Sequence, residues 1–133
     1  MTMAKAERAL DNFGQALARL DEAMALPEGD VISRDAVILR FVLVFETAWQ
    51  CLRKVLELHQ IQARYPRETF QRAYQAGWLD QEQLWLDMID NRNLIAHTYK
   101  EATAIRVYDD VKRFLPLLRR LHAELEQRLD QRP

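Results

Sequence analysis

The sequence predicts an all-α fold, an antiparallel bundle of about five helices, four long and one short. Three observations carry this: apolar residues recur at steps of three and four, no segment alternates apolar and polar residues as a half-buried strand does, and there are only three Gly and four Pro in 133 residues. No internal repeat divides the chain, so residues 1–133 are expected to form one domain. A domain of that length buries roughly two thirds of the surface its unfolded form exposes.

Each element has its own signal. In residues 4–26, Leu10, Phe13, Leu17, Leu20 and Met24 form one apolar stripe, ended by Pro27 and Gly29. Residues 31–61 carry Phe41, Phe45, Ala48, Leu52 and Val55 on one stripe and Val37, Val44, Cys51 and Leu58 on another. An element apolar over most of its circumference belongs at the centre of a bundle. Arg40, Thr47, Gln50, Lys54 and Glu57 leave it one polar strip, and Glu46 is a carboxylate suited to a buried hydrogen bond. A short third helix is bounded by Pro66 at its start and Gly77 past its end. Asp80 and Gln83 have capping-box spacing for a fourth, with Leu84, Trp85, Met88 and Ile89 following at helical intervals. The last helix starts near Glu101 and carries Leu118, Leu121, Leu125 and Leu129 on one face. Pro116 removes a backbone donor inside it and is expected to kink it near residues 112–114.

Composition excludes several function classes. The longest apolar runs, such as "FVLVF", are too short to span a bilayer, and no signal-like segment opens the chain, so no membrane association and a cytoplasmic location are expected. Cys51 is the single cysteine and sits among Trp49, Leu52 and Val55, the setting of a small buried apolar residue rather than a nucleophile. There is no phosphate-cradling Gly-rich loop and no Glu-x-x-His repeat, and His59, His97 and His122 are scattered, so neither metal nor cofactor is expected. Net charge is −1. Its distribution is uneven: residues 80–90 carry four acids and no base, whereas residues 92–132 carry nine Arg or Lys against six acids, enough to offer phosphate contacts.

The stretch "MIDNRNLIAHTYKE", residues 88–101, gathers Arg92, Asn93, His97 and Tyr99 among apolar residues. At about 100° per residue, Asp90, Asn93 and His97 fall near one line of a straight helix, whereas Arg92 and His97 point about 140° apart. For those two to cooperate, either the helix breaks near Ala96 or a second copy of the chain completes the site. Such a site suits phosphodiester chemistry. Histidine can exchange a proton with a ribose 2′-hydroxyl or a leaving oxygen near neutral pH, and the guanidinium matches phosphate geometry. Asn93 can bond substrate or hold the ring, and Tyr99 offers a hydroxyl that binds phosphate or accepts a modification. The structural alternative is a helix end on polar caps, with Arg92 paired to Asp87 or Asp90 and Tyr99 half-buried. Spacing alone favours the helix end.

The fuller string "RNLIAHTYKE", read with "FETAW" at 45–49, "PRE" at 66–68 and "AGWLD…LWLDMIDNRN", resembles the HEPN superfamily, in particular the HepT-like proteins also called nucleotidyltransferase substrate-binding proteins. The likeness runs in the same order from the first helix to about Leu118. It implies an all-α homodimer with an Arg-x4-His-x-Tyr motif lining an interface cleft, here Arg92, His97 and Tyr99, with Asn93 at the polar position after the Arg. It further implies a metal-independent endoribonuclease toxin acting on RNA, tRNA or mRNA, paired with a minimal nucleotidyltransferase antitoxin that transfers AMP to Tyr99. Many relatives carry Ser and Asp where this chain has Ala96 and Lys100, so Lys100 adds positive charge beside the cleft, and Asp90 and Lys100 are candidate supporting residues. Relatives are also assigned a second role, that of a non-catalytic subunit docking on the nucleotidyltransferase.

Overall fold

The computed structural model describes residues 2–131. Arg132, one of the bases counted in the C-terminal third, lies outside them. The elements are α1 (Met3–Met24), α2 (Val31–Leu58), α3 (Pro66–Gln75), α4 (Glu82–Asn93), a short 3-10 turn (Ile95–His97) and α5 (Glu101–Asp130). No strand occurs among the described residues.

Local chemistry sets most of the boundaries. Thr2 caps α1 by accepting the Lys5 N–H at 3.2 Å, and Asp30 caps α2 through the Ile32 N–H at 3.1 Å. α2 ends at Leu58, three residues before its apolar pattern does: Gln60 takes a positive φ of 67° and the Ile61 N–H turns back to the Leu56 carbonyl at 2.9 Å. α3 closes in the same manner, with Gly77 at φ 79° and the Trp78 N–H on the Ala73 carbonyl at 2.9 Å. The expected capping box does not form. α4 begins at Glu82 after Gln81 in the left-handed region, with no side-chain cap, and Asp80 is exposed one residue too early. Burial of Trp78 and Leu79 ahead of Asp80, and of Trp85 after it, decides that register. α5 runs unbroken through Pro116, whose ring is exposed.

The direction of packing follows from cross-helix pairs. Phe13 meets His122, Asp21 pairs with Arg119, and Glu28 pairs with Lys112, so α1 and α5 are antiparallel. The Arg40 guanidinium donates to the Arg19 carbonyl at 2.7 Å, consistent with the α1–α2 hairpin. Phe41 stacks on Phe114 and His59 meets the Arg128 carbonyl, so α2 and α5 run the same way. The α3–α4 unit makes that return possible, and it is seated in the core by Phe70, whose ring lies 6.0 Å from Phe45 and 5.2 Å from Trp85. The central α2 buries residues from both of its stripes. Cys51 is among them, and burial pushes its thiol up to about 12, so it remains a neutral packing group.

Candidate functional site

α4 reaches the motif in a register set by its buried face. Trp85 and Met88 are buried, and Asn91, one further step of three, is 2% exposed. Its amide nitrogen donates to the Asp87 carbonyl at 2.9 Å, and its Oδ1 is buried without a partner among the described residues. With Asn91 inside, Arg92 and Asn93 are turned to the outside.

The helix then stops. The break lies at Leu94, two residues before the expected Ala96, and residues 95–97 continue as the 3-10 turn. The turn is closed by the His97 N–H on the Leu94 carbonyl at 2.9 Å and the Lys100 N–H on the His97 carbonyl at 3.1 Å. The straight-helix separation of Arg92 from His97 therefore does not apply, and the line joining Asp90, Asn93 and His97 is lost at its last member.

Arg92 pairs with neither Asp87 nor Asp90. Its Nε and Nη2 both donate to Oε1 of Glu46 on α2, at 3.0 and 2.7 Å. Oε2 of the same carboxylate accepts the Trp49 indole N–H at 3.0 Å, and the guanidinium carbon lies 6.0 Å from the centroid of the Phe45 ring. The two side chains are 45% and 36% exposed, so the pair contributes at most about 1 kcal/mol to stability. Its consequence is orientation: two donors are held, and Nη1 makes no hydrogen bond among the described residues.

The three histidines divide by role. His59 shares a hydrogen bond with the Arg128 carbonyl at 2.9 Å and sits edge-on to Trp78, while His122 sits edge-on to Phe13. The His97 ring is exposed, makes no hydrogen bond among the described residues and lies 6.5 Å from the Tyr99 ring. Tyr99 is 79% exposed rather than half-buried, with the Lys100 ammonium 5.9 Å from its ring centroid. Asp90 and Asn93 are exposed and form no side-chain bonds among the described residues. Of the polar groups expected as caps, Thr98 alone makes such a bond, to the Ile95 carbonyl at 2.8 Å in its own turn. Arg92, His97, Tyr99 and Asn93 therefore do no visible capping work.

A second feature leads to this turn. Ile32, Leu39 and Leu43 are 79%, 62% and 49% exposed, and helical spacing puts them on one face of α2 with Glu46 and Gln50. An apolar stripe thus ends at the carboxylate that holds Arg92. No helix among the described residues is long and apolar enough to cross a membrane, and no group of three or more His, Cys, Asp or Glu is gathered for a metal.

A family model described as "nucleotidyltransferase substrate binding protein like" matches residues 8–127. The chain belongs to this family. The nucleotidyltransferase substrate-binding-like fold recurs in two solved structures. A Thermus thermophilus protein, ttk003001694, is 33% identical with a TM-score of 0.74, over 88% of this chain and 98% of that one. HI0074 from Haemophilus influenzae, described as having the fold of a substrate-binding domain of a nucleotidyltransferase, matches at a TM-score of 0.65 and 19% identity, over 94% of this chain and 99% of that one. At that identity it speaks for the fold alone. No curated protein matches the chain.

Sequence reasoning missed one residue of the site, and it missed the partner of Glu46, whose side chain is 36% exposed rather than buried. Asn91 was detectable, because it continues the three-residue steps of Trp85 and Met88. The Glu46 partnership was not, since it joins residues far apart in sequence.

Proposed function

We propose that this chain is the partner subunit of a nucleotidyltransferase and that the turn after α4 is the surface it presents, with Tyr99 as acceptor of an AMP group. The observation that carries this is the position of the phenol, 79% exposed at the tip of a turn pinned by backbone hydrogen bonds, in a chain of the nucleotidyltransferase substrate-binding-like family. In the transfer, the Tyr99 oxygen attacks the α-phosphorus of ATP held by the partner. A new P–O bond forms, the bond to the β-phosphate breaks, pyrophosphate leaves and the phenol proton is released. A tagged copy of this chain is expected to copurify with a small nucleotidyltransferase encoded beside it. Separate elution of the two at micromolar concentration overturns the docking.

A specific observation favours a second activity at the same turn: Arg92 and His97 are both solvent-facing, the His97 ring has no hydrogen bond among the described residues, and Arg92 keeps Nη1 unbonded there. The second reading is a metal-independent endoribonuclease. The ribose 2′-oxygen attacks the adjacent phosphorus, the bond to the 5′-oxygen breaks, and His97 exchanges the proton with one of these oxygens. Arg92, held by Glu46, offers Nη1 to the charge growing on the phosphate, and Asn93 supports substrate. An adenylate on Tyr99 adds bulk and negative charge where RNA phosphate must sit, so the partner silences the site.

The α2 stripe supports a homodimer. Ile32, Leu39 and Leu43 offer an exposed apolar face that ends at Glu46, so pairing across it brings two motif turns to one cleft. Leu39→Arg with Leu43→Arg is expected to convert a dimer into a folded monomer, read by light scattering on a sizing column. A monomeric wild type, or a dimer indifferent to both charges, contradicts this arrangement.

A further inference from the structure

Beyond Glu46 the same face of α2 changes character. Gln50, Arg53 and Lys54 follow at helical intervals and face Lys5, Arg8, Ala9 and Asn12 of α1 across a surface groove. The groove is continuous. One depression of about 260 Å³ runs from Glu46 through Thr47 and Gln50 to Lys54, and a second of about 420 Å³ shares Ala9, Asn12 and Lys54 with it and adds Lys5, Arg8 and Arg53. Four cations line its far half. Lys5, Arg8 and Lys54 have no ion pair among the described residues, and Arg53 shares one Nη2 bond with Gln50 while its Nε is buried without a partner. Helical spacing turns Glu7 of α1 away from this face, and Asp11, one step of three from Arg8, lies at its edge and outside the groove's lining. Glu46, held by Arg92, is the acid among the groove's lining residues, and Glu57, three positions past Lys54 on α2, lines a separate depression with Leu58, Gln60 and Gln62 and is also engaged.

We infer that this α1–α2 groove binds the phosphodiester backbone of single-stranded RNA, carrying the nucleotides that flank the bond presented to Arg92 and His97. The inference rests on the RNA-cleavage reading for its choice of ligand. The chemistry is that of a polyanion track: unpaired cations at successive helical steps, lying along a groove whose near end is Glu46, the carboxylate that holds the Arg92 guanidinium. Glu46 and Lys54 are eight positions apart on α2, about 12 Å along the axis, so the track extends past the scissile group by more than one nucleotide. Each contacted phosphate releases counterion and steepens the salt dependence of binding, by about 0.7 per contact on a single strand.

The test uses the full chain in a His97→Ala background, which leaves RNA uncut, and a fluorescently labelled single-stranded RNA of mixed sequence. Binding is measured by anisotropy over a series of salt concentrations. Arg8→Glu with Lys54→Glu is expected to weaken binding at least about tenfold and to flatten the log–log salt slope by about 1.4, whereas Arg72→Glu, off the groove on α3, changes neither. Circular dichroism confirms that the variants fold, and the milder Arg8→Gln with Lys54→Gln pair serves if the reversals do not. Unchanged affinity and slope in the groove variants overturn the inference. So does unchanged RNA binding with lost copurification of the nucleotidyltransferase, which assigns the groove to an acidic protein face. If the chain with His97 intact never cuts RNA but groove-dependent binding persists, the cleavage reading falls and the groove stands. If it cuts and groove variants cut equally well at low RNA concentration, the groove falls and the cleavage reading stands.

Discussion

Replacing His97 with Ala is expected to lower RNA cleavage in the presence of a chelator by at least about a hundredfold, the span that a positioned general acid–base group supplies. The fold should be indifferent to the change. The ring is exposed and bonds to nothing else among the described residues, and the turn it stands on is held by backbone hydrogen bonds and Thr98. A cut RNA pool with wild type and an intact one with the variant, at equal thermal stability, is the expected gel. Equal cleavage by both proteins would remove His97 from the site. A drop in melting temperature matching the loss of activity would return it to a structural role.

Arg92→Ala carries the second large effect, a loss of about a hundredfold or more where one donor to a developing phosphate charge is removed. Arg92→Lys is expected not to rescue it. Two guanidinium nitrogens grip one oxygen of Glu46 and a third remains for substrate, a division that a single ammonium cannot reproduce. Stability should change by no more than about 1 kcal/mol in either variant, because the ion pair is solvent-exposed. Full rescue by Lys, seen as wild-type cleavage in the same chelator assay, would show that charge alone suffices and that the Glu46 geometry is incidental.

Which features could be read from the sequence follows from the forces that set them. The helices could, because apolar steps of three and four record burial directly, and α1 and α3 fall close to their expected limits. Helix ends were harder to read. Gln60 and Gln81 adopt left-handed backbone with no Gly to signal it, and the Asp80 cap lost to the burial of Trp78, Leu79 and Trp85. The motif was visible as a string, and the angular conflict between Arg92 and His97 pointed to a break, found at Leu94. The partner of Arg92 was not visible. Local acids at 87 and 90 compete on paper with Glu46, and only the packing of α4 against α2 decides for the latter. The parallel course of α2 and α5 was equally hidden, because it depends on where Phe70 seats the α3–α4 unit.

The turn bearing Tyr99 is, in this reading, what a nucleotidyltransferase partner acts on. Intact-mass analysis with peptide mapping, after incubating the purified chain with that partner, ATP and magnesium, tests it most directly. The expected result is one added nucleotidyl group on Tyr99, none on a Tyr99→Phe variant that still binds the partner, and loss of RNA cleavage in step with the modification. A chain that binds the partner but is recovered unmodified, or modified at a residue away from the turn, would contradict it.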